Sequence, residues 1–546
     1  MRRQGHILII DDQPEWRDEL PEILERAGYH AVAVPTISDA LKLLDQNLYH
    51  VLIVDIRMNA SDQTNVEGIE LLRELGKQGL NEASKVIMLS AYGDIEKMRT
   101  AFKDYEVADF LDKREFNKAA FLDAVKVVFA NKVKINQELE VHWIENSGPQ
   151  HAVQHLLVRG TLVEFDAVLQ SQMAEELEDL LCRLFYTAKS VLVQPLKNGR
   201  SGTAVLRVRP FYSDGGGHAV VVKFGDLHLV QKEYDNYQQF VQTYLGGGRN
   251  TTIQEVRRTP HLGGIVYSLL GTTHEQLVDF GEFYARAEIA LIREAIDKLF
   301  RDTCDNWYAS RGDLQLLDLT EDYQRVFNYP TDTLAQAIFQ QLRVAQAQEK
   351  LYFLALADSN KHPFTNPLLA IAGKVLSRAT YKCITHGDFH HHNMFVDDSG
   401  NIWLIDFQET SRSHILRDVA ILDSVVRFQL LAAAQATLEE RLRMEEALCS
   451  IEHFSQVKTL ASAFTTTNPA LAKAYATVVH LRSRAAKLVE QNPDDDFSEY
   501  YIALLYIALN TLHYSSLPPV QREHALLSAS LLVDRLDLSP SLNEVT

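Results

Sequence analysis

The chain reads as an α/β domain on a doubly wound, five-stranded parallel sheet, followed by a larger α+β portion with strands first and helices after. Three observations predict this. From about residue 5 to 130, short uninterrupted apolar runs alternate with amphipathic stretches, and four of these strand runs lead into polar residues. Apolar runs then return at close spacing over 191–272, separated by turns. Beyond 273 the apolar residues fall mainly at helical spacing, interrupted by one polar block at 386–393. Strands that are apolar on every residue and linked by helices imply a parallel sheet covered on both faces.

In the first segment, Ile7-Leu8-Ile9-Ile10 is a buried strand ending on Asp11-Asp12. Leu20, Ile23, Leu24 and Ala27 mark the helix after it. Val51-Leu52-Ile53-Val54 ends on Asp55, Val86-Ile87-Met88-Leu89 ends on Ser90, and Ala108-Asp109-Phe110-Leu111 leads to Lys113. In such sheets ligands gather beyond the carboxyl ends of the strands, so Asp11, Asp12, Asp55, Ser90 and Lys113 should meet on one edge. A carboxylate is a poor nucleophile unless a metal neutralises its neighbours and an incoming phosphate, and clustered acids beside one lysine supply that balance.

These strand-end residues resemble those of the response-regulator receiver domain, over residues 1–130. The resemblance implies that Asp55 is the phosphoacceptor and that Asp11, Asp12 and Asp55 hold Mg²⁺. It also implies that Ser90 and Lys113 bind the acyl-phosphate oxygens and that Phe110 is the aromatic that swings inward. Two departures stand out. Arg114 replaces the usual proline after the lysine, and the loop from Arg57 to Val66 is several residues longer than typical.

Residues 131–190 read as a helical connector. Met173, Leu177, Leu180, Leu181 and Leu184 form an apolar stripe, and Leu122, Val125, Phe129 and Val133 predict that the last receiver helix runs on into this region. Over 191–272, Leu192–Leu196 and Ala204–Arg209 read as strands around a small-residue turn containing Gly199, Ser201 and Gly202. Glycines let a backbone approach phosphates closely, although hairpins carry this pattern constantly. An apolar strand, His218–Lys223, ends in a lysine. A helix predicted from about 227 to 244 carries Glu233, and Asp235 is a poorer partner for that lysine. Ile265–Gly271 reads as a further strand, and residues 275–308 and 331–357 as long helices.

The most specific block is His386-Gly387-Asp388-Phe389-His390-His391-His392-Asn393, followed by Ile405-Asp406-Phe407. Phosphoryl transfer from a nucleotide needs one carboxylate for the attacking hydroxyl, and an amide and a second carboxylate on Mg²⁺. Asp388, Asn393 and Asp406 supply these in order. The spacing H-x-D-x-x-x-x-N, then D-F, resembles the aminoglycoside phosphotransferase and choline kinase-like family, a branch of the protein-kinase fold. The resemblance implies a bilobal α+β domain with an ATP-binding N-lobe at 191–272 and a helical C-lobe at 273–546. It assigns Asp388 to the acceptor proton, Asn393 and Asp406 to Mg²⁺, and Lys223, held by Glu233, to the ATP phosphates. Backbone amides of Gly199, Ser201 and Gly202 would cover those phosphates, and Asp418 would buttress the catalytic loop. Asp313, Asp318, Glu321 and Asp322 read as a solvated acidic loop sooner than as a pocket for a cationic acceptor. Adjacent histidines on a loop rarely point at one ion, so His390, His391 and His392 predict no dedicated zinc site.

Bulk composition excludes several classes. The 546 residues are 46% hydrophobic and 23% charged, ordinary for globular domains. A net charge of −19 argues against nucleic acid as a main partner. Cys182, Cys304, Cys383 and Cys449 have no C-x-x-C spacing and predict reduced thiols. The opening residues lack a signal-peptide pattern, and no apolar run reaches the ~18 residues of a membrane span, so a cytoplasmic protein without membrane insertion is expected. The expected function is two-component signalling. A sensor histidine kinase or other phosphodonor acts on Asp55, which regulates ATP- and Mg²⁺-dependent phosphorylation of a small-molecule or protein hydroxyl. A catalytically silent nucleotide-binding switch or scaffold is the alternative, and a homodimer through the receiver is a further expectation.

Overall fold

The computed structural model describes residues 5–58, 67–77, 83–91, 107–144, 147–158, 160–196, 202–245, 251–269, 278–327, 342, 344–347, 349–356 and 363–538. Two compact units form, one from Met1–Lys232 with Thr252–Leu269, the other from Glu233–Thr251 with Leu270–Thr546.

The first unit opens with β1 (His6–Ile10), α1 (Pro14–Arg26), β2 (His30–Val34), α2 (Ile37–Gln46), β3 (Val51–Val54), α3 (Glu67–Lys77), β4 (Lys85–Ser90), β5 (Asp109–Asp112) and α4 (Lys118–Val128). The five strands are parallel in the order β2-β1-β3-β4-β5. Side chains of successive strand residues point to opposite faces, and both faces are apolar. Ile7, Ile9, Ile53 and Leu89 pack with Leu20 and Leu24 of α1 and Phe121 and Val125 of α4. Leu8, Ile10, Val54 and Met88 pack with Leu44 of α2 and Leu71, Leu72 and Leu75 of α3. This is the doubly wound sheet that the sequence predicts.

The connector differs from its prediction. The last receiver helix runs on through Phe129 and Val133 as a wide helical turn, as predicted, but stops at Lys134, whose φ is +52°. Residues Glu140–Trp143 form a strand, β6, parallel to β7 (Ser190–Pro195). Their alternation of polar and apolar residues is a strand period, and the edge is secured by Asn136, whose amide donates to the Ala188 carbonyl at 2.6 Å. The helical part is α5 (Ala167–Leu184), capped by the Asp166 carboxylate. It lays Leu177, Leu180 and Leu181 against Val193, Leu206, Val222 and Val266 of a second sheet. That sheet adds β8 (Ala204–Tyr212), β9 (Val220–Asp226), β10 (Thr251–Arg258) and β11 (Leu262–Leu269), in the order β10-β11-β9-β8-β7-β6, with a short Gly215–Gly216 strand beside β8. The stretch 131–190 is therefore built into this sheet and its core instead of spanning between domains.

A buried hydrogen-bonded triad ties the floor of the first sheet to α5. His50, before β3, lies 2.7 Å from Asp179 Oδ1. Arg183 donates to Asp179 Oδ2 at 2.6 Å and to the Ala83 carbonyl at 2.8 Å.

The second unit begins with α6 residues from Glu233 onward (the helix spans Leu227–Asn236) and is mainly helical. The stretch expected as one helix over 275–308 is, from 278, a short strand followed by α7 (Phe280–Arg286), α8 (Ile289–Lys298) with a wide turn to Thr303, and α9 (Asp305–Ala309). Val344–Ala347 and Lys350–Phe353 are paired strands where a helix was expected. Small hairpins follow: β12 (Lys382–Thr385) with β15 (Ser411–His414), and β13 (Met394–Val396) with β14 (Ile402–Leu404). The unit closes with α10 (Arg417–Val425) and later helices over Pro469–Leu488, Ser498–Thr511 and Pro519–Arg535. Arg427 and Arg482 both donate to the buried Asp423, fixing this interior. Cys182, Cys304 and Cys383 are buried, and all four cysteines are free thiols. Among the described residues no helix is long and apolar enough to cross a membrane.

Candidate functional site

In the first unit, strand register makes the acidic edge. Ile10 pairs with Val54, and the Asp55 amide donates to the Ile10 carbonyl at 3.0 Å, so Asp11 and Asp55 leave their strands side by side. Both are buried, at 2% and 3% exposure. Lys113, one residue beyond β5, places Nζ 2.6 Å from Asp11 Oδ2 and 2.6 Å from Asp55 Oδ2, with the Trp16 ring 5.3 Å from the ammonium. Burial raises the Asp11 carboxyl above its ordinary value despite Lys113 beside it. Ser90 ends β4, fully buried. Phe110, on β5, packs against the core face lined by α2 and α3.

Asp11, Asp12 and Asp55 each bring an oxygen within 4.8 Å of the others. An all-oxygen, carboxylate-rich donor set suits a hard cation such as Mg²⁺. Gly68, at the start of α3, was not singled out from the sequence. Its amide donates to the Ile56 carbonyl at 3.1 Å, and a β-carbon there would stand 2.1 Å from the Asp55 carbonyl oxygen. Only a glycine lets the helix start this close to the acid. The long loop at 59–66 lies outside the described residues.

In the second unit the polar block forms a hydrogen-bonded loop. Asn393 Nδ2 donates to the Asp388 carboxylate at 2.9 Å and to its carbonyl at 3.1 Å. The β13–β14 hairpin returns the chain so that the Ile405 amide donates to the Asn393 carbonyl at 3.0 Å, bringing Asp406 back to the loop. Asp406 has φ +70°, a left-handed conformation uncommon for a non-glycine residue. The next amide, Phe407, donates to Glu233 Oε1 at 3.3 Å, while Asn236 donates to the carbonyls of Phe407 and Gln408. Glu233 is thus fully buried against the Asp406 turn.

Beneath the loop sits Asp418, on α10. Its two oxygens accept the amides of His386 and Gly387, each at 2.9 Å, and the Tyr308 hydroxyl at 3.1 Å. Burial pushes its carboxyl up to about 6 in spite of these donors. Gly387 has φ +84°, and a β-carbon would lie 2.4 Å from the Glu409 carbonyl oxygen. His386 reaches the Ile405 carbonyl at 3.1 Å through Nε2, so it orders the loop backbone. Tyr308 and Trp307, from α9, were not foreseen. They lie nearly 80 residues upstream of the loop, with no local pattern linking them to it.

Lys223 is fully buried on β9, between Val205 of β8 and Ile265 of β11, and is not the solvated end of a strand. Gly202, at φ +75°, precedes β8; Gly199 and Ser201 lie outside the described residues. Asp322, expected in a solvated loop, is instead buried, accepting from Arg417 at 3.0 Å and the His414 amide at 3.1 Å. His390, His391 and His392 cluster, each offering a ring nitrogen within 4.8 Å of the others.

The family model described as "Ternary complex associated domain 9" matches residues 188–350 and 340–513, and "Response regulator receiver domain" matches 7–126. The chain is 33% identical over 106 residues to the "Uncharacterized 14.6 kDa protein in sodA1 3'region" of Leptolyngbya boryana, covering 19% of this chain and 77% of that protein. It is 29% identical over 113 residues to the "Transcriptional regulatory protein FixJ" of Bradyrhizobium diazoefficiens, 21% of this chain and only 51% of FixJ. Among solved structures, a CheY-like response regulator receiver domain protein from Methanospirillum hungatei matches at 23% identity and TM-score 0.22, over 24% of this chain and 98% of that one.

Proposed function

Since the chain belongs to the ternary complex associated domain 9 family through residues 188–513 and carries a response regulator receiver domain at 7–126, we propose that phosphorylation of Asp55 governs an ATP-dependent O-phosphotransferase in the remainder. The receiver implies a phosphodonor such as a sensor histidine kinase. Asp11, Asp12 and Asp55 would hold Mg²⁺ there, and Ser90 and Lys113 would receive the phosphoryl oxygens, with Phe110 responding.

In the transferase, Asp388 accepts the proton of the attacking hydroxyl, held in place by Asn393. Asn393 and Asp406 would hold Mg²⁺, and Lys223 and Glu233 would serve the nucleotide, with the backbone of Gly199, Ser201 and Gly202 over its phosphates. Mg²⁺, when bound, neutralises charge on the phosphates. The observation that carries this reading is the Asn393–Asp388 hydrogen bond at 2.9 Å, on a loop anchored by Asp418. Together they fix an acid and an amide as a unit. The receiver signal has a route to α5 in the His50–Asp179–Arg183 triad. The test is ATP turnover by the full chain with a pool of hydroxyl acceptors, with and without an acyl-phosphate donor. Turnover that responds to the donor and vanishes in Asp388→Ala supports the reading. Full activity in that variant rejects it.

A second reading is a silent nucleotide-binding switch or scaffold controlled by the receiver. The family description, which ties its members to a ternary complex, favours it. It predicts ATP binding without turnover, and signalling that survives Asp388→Ala but not Asp55→Ala.

A further inference from the structure

We propose that the cavity between the floor of the first sheet and α5 is a binding site for a small organic cation that also carries a hydrogen-bond acceptor. The site is separate from the acidic edge at Asp55 and does not depend on phosphotransfer. Both of its walls belong to the first compact unit. His6 opens β1 and Asp11 follows its last residue, so at about 3.3 Å per residue the cavity and the acidic edge stand at opposite ends of the sheet, roughly 16 Å apart.

The cavity encloses about 760 Å³, a volume that holds a drug-sized molecule. One wall is the start of β1 and the turn before β3, with His6, Leu48 and His50. The other is α5 from Ala167 to Asp179, and Ile135 and Gln137 complete the lining. Leu48, Ile135 and Val168 supply apolar surface. Val168, in the first turn of α5, is 80% exposed, an apolar side chain that a bound ligand would cover.

The polar groups decide the ligand's chemistry. Among the described residues that line the cavity four are acidic, Glu175, Glu176, Glu178 and Asp179, and none is lysine or arginine. Glu176 is engaged by Thr259 and His261, and Asp179 by His50 and Arg183. Exposed Glu175 and half-buried Glu178 add their charge to the same wall, so an anion such as phosphate is repelled and a cation is attracted. Gln137 and Gln172 each bury a side-chain amide nitrogen that has no partner among the described residues. A buried donor without an acceptor is costly, and acceptor atoms on the ligand remove that cost. His50 offers nothing further, since Nδ1 accepts the His6 amide at 3.0 Å and Nε2 meets Asp179 at 2.7 Å. The ligand that fits has an apolar body, a positive charge and an acceptor such as a carbonyl oxygen. Seated there, it touches the receiver floor and α5 together, across the joint that the His50–Asp179–Arg183 triad ties.

The test titrates the full chain with two probes built on one aromatic amide, procainamide, which carries an ammonium, and 4-aminohippurate, which carries a carboxylate. Calorimetry should show one equivalent of procainamide bound, and 4-aminohippurate at least about tenfold weaker. Glu175→Gln combined with Glu178→Gln should shrink that preference several-fold. Gln172→Leu keeps the volume and removes one donor, so it should weaken procainamide without altering the preference for charge. Ser171→Trp fills the cavity from α5 and should abolish binding with little change in melting temperature. A wild type that does not bind procainamide overturns the proposal, as does equal binding of the two probes. Unchanged affinity in Gln172→Leu and Ser171→Trp alike places the probe elsewhere and overturns it too. If these variants do not fold, hydrogen exchange on the wild type decides. Protection by procainamide over residues 46–50 and 167–179 supports the site, and protection confined to other segments overturns it.

Discussion

The amide of Asn393 spans the Asp388 carboxylate at 2.9 Å and the Asp388 carbonyl at 3.1 Å, locking side chain and backbone of the acid with one group. Replacing that amide with a carboxylate removes both donations and sets two negative charges in contact. Asn393→Asp should keep the fold and its melting temperature within a few degrees. It should lower ATP-dependent turnover by about 100-fold or more, the range expected when an acid–base group is misplaced. Coupled measurement of ADP release beside a thermal melt checks both halves. Turnover within a few-fold of wild type would detach the pair from catalysis.

Asp418 makes the loop sensitive to pH. Its carboxyl is pushed up to about 6 by burial, from an ordinary 3.8. Protonation therefore favours the folded state, and the cost of burying the charge is complete above pH 6 and relieved as pH falls toward 3.8. Two pKa units correspond to roughly 3 kcal/mol. Below pH 6 the protonated acid can no longer accept from His386 and Gly387 with both oxygens, so turnover should fall on an acid limb near 6. Asp418→Asn should lack that limb and gain stability relative to wild type as pH rises from 4 to 7. Parallel melting curves and pH–rate profiles read this, and an unchanged acid limb in the variant would assign it to another group.

The triad at the receiver floor gives a third expectation. Burial alone would raise the Asp179 carboxyl, but Arg183 and His50 outweigh it and hold the acid well below its usual range. Such a group stabilises the fold above its unfolded pKa, and that stability is lost as pH falls through the folded value. Asp179→Ala leaves Arg183 and His50 buried without their carboxylate, a change of about 3–5 kcal/mol. Denaturant unfolding at pH 7 measures it. The milder Asp179→Asn, if it folds, should blunt any response of turnover to an acyl-phosphate donor without altering phosphorylation of Asp55. An intact response would remove the triad from the signalling route.

Legibility in the sequence followed the range of the interactions. The first sheet could be read because each strand is apolar throughout and ends on a polar residue. Lys113 and Asp55 then meet through register alone. The Asp388–Asn393 pair could be read because it spans five positions on one loop. By contrast, the connector was misjudged: the stripe on α5 dominated the window, and a four-residue alternation at Glu140–Trp143 is too short to announce a strand in a second sheet. Tyr308 on Asp418 and His50 on Asp179 join residues more than a hundred apart. Nothing local marks Tyr308 or His50, and only packing brings each to its acid. Asp322 looked solvated because its neighbours are acidic, yet Arg417 lies far along the chain. The histidines were read as unlikely ligands because adjacent residues on a loop rarely point at one ion; the turn at His391–Asn393 brings their rings close together.

Gly68 tests the receiver pocket most directly. It begins α3 where the Asp55 carbonyl leaves room for hydrogen only, since a β-carbon would stand 2.1 Å from that oxygen and 2.9 Å from the Ile56 Cα. Both neighbours are backbone, so no side-chain rotation relieves the contact. Gly68→Ala must move the start of α3 or the peptide after Asp55, at a cost of about 1–3 kcal/mol. Because Lys113 also holds the Asp55 carboxylate, at 2.6 Å, the displaced peptide should disturb its alignment. Phosphorylation by acetyl phosphate, followed by intact-protein mass as gain of one phosphoryl group, should slow several-fold in Gly68→Ala and be absent in Asp55→Asn. If Gly68→Ala is phosphorylated at the wild-type rate with an unshifted melting temperature, α3 does not bear on the acid as this packing requires.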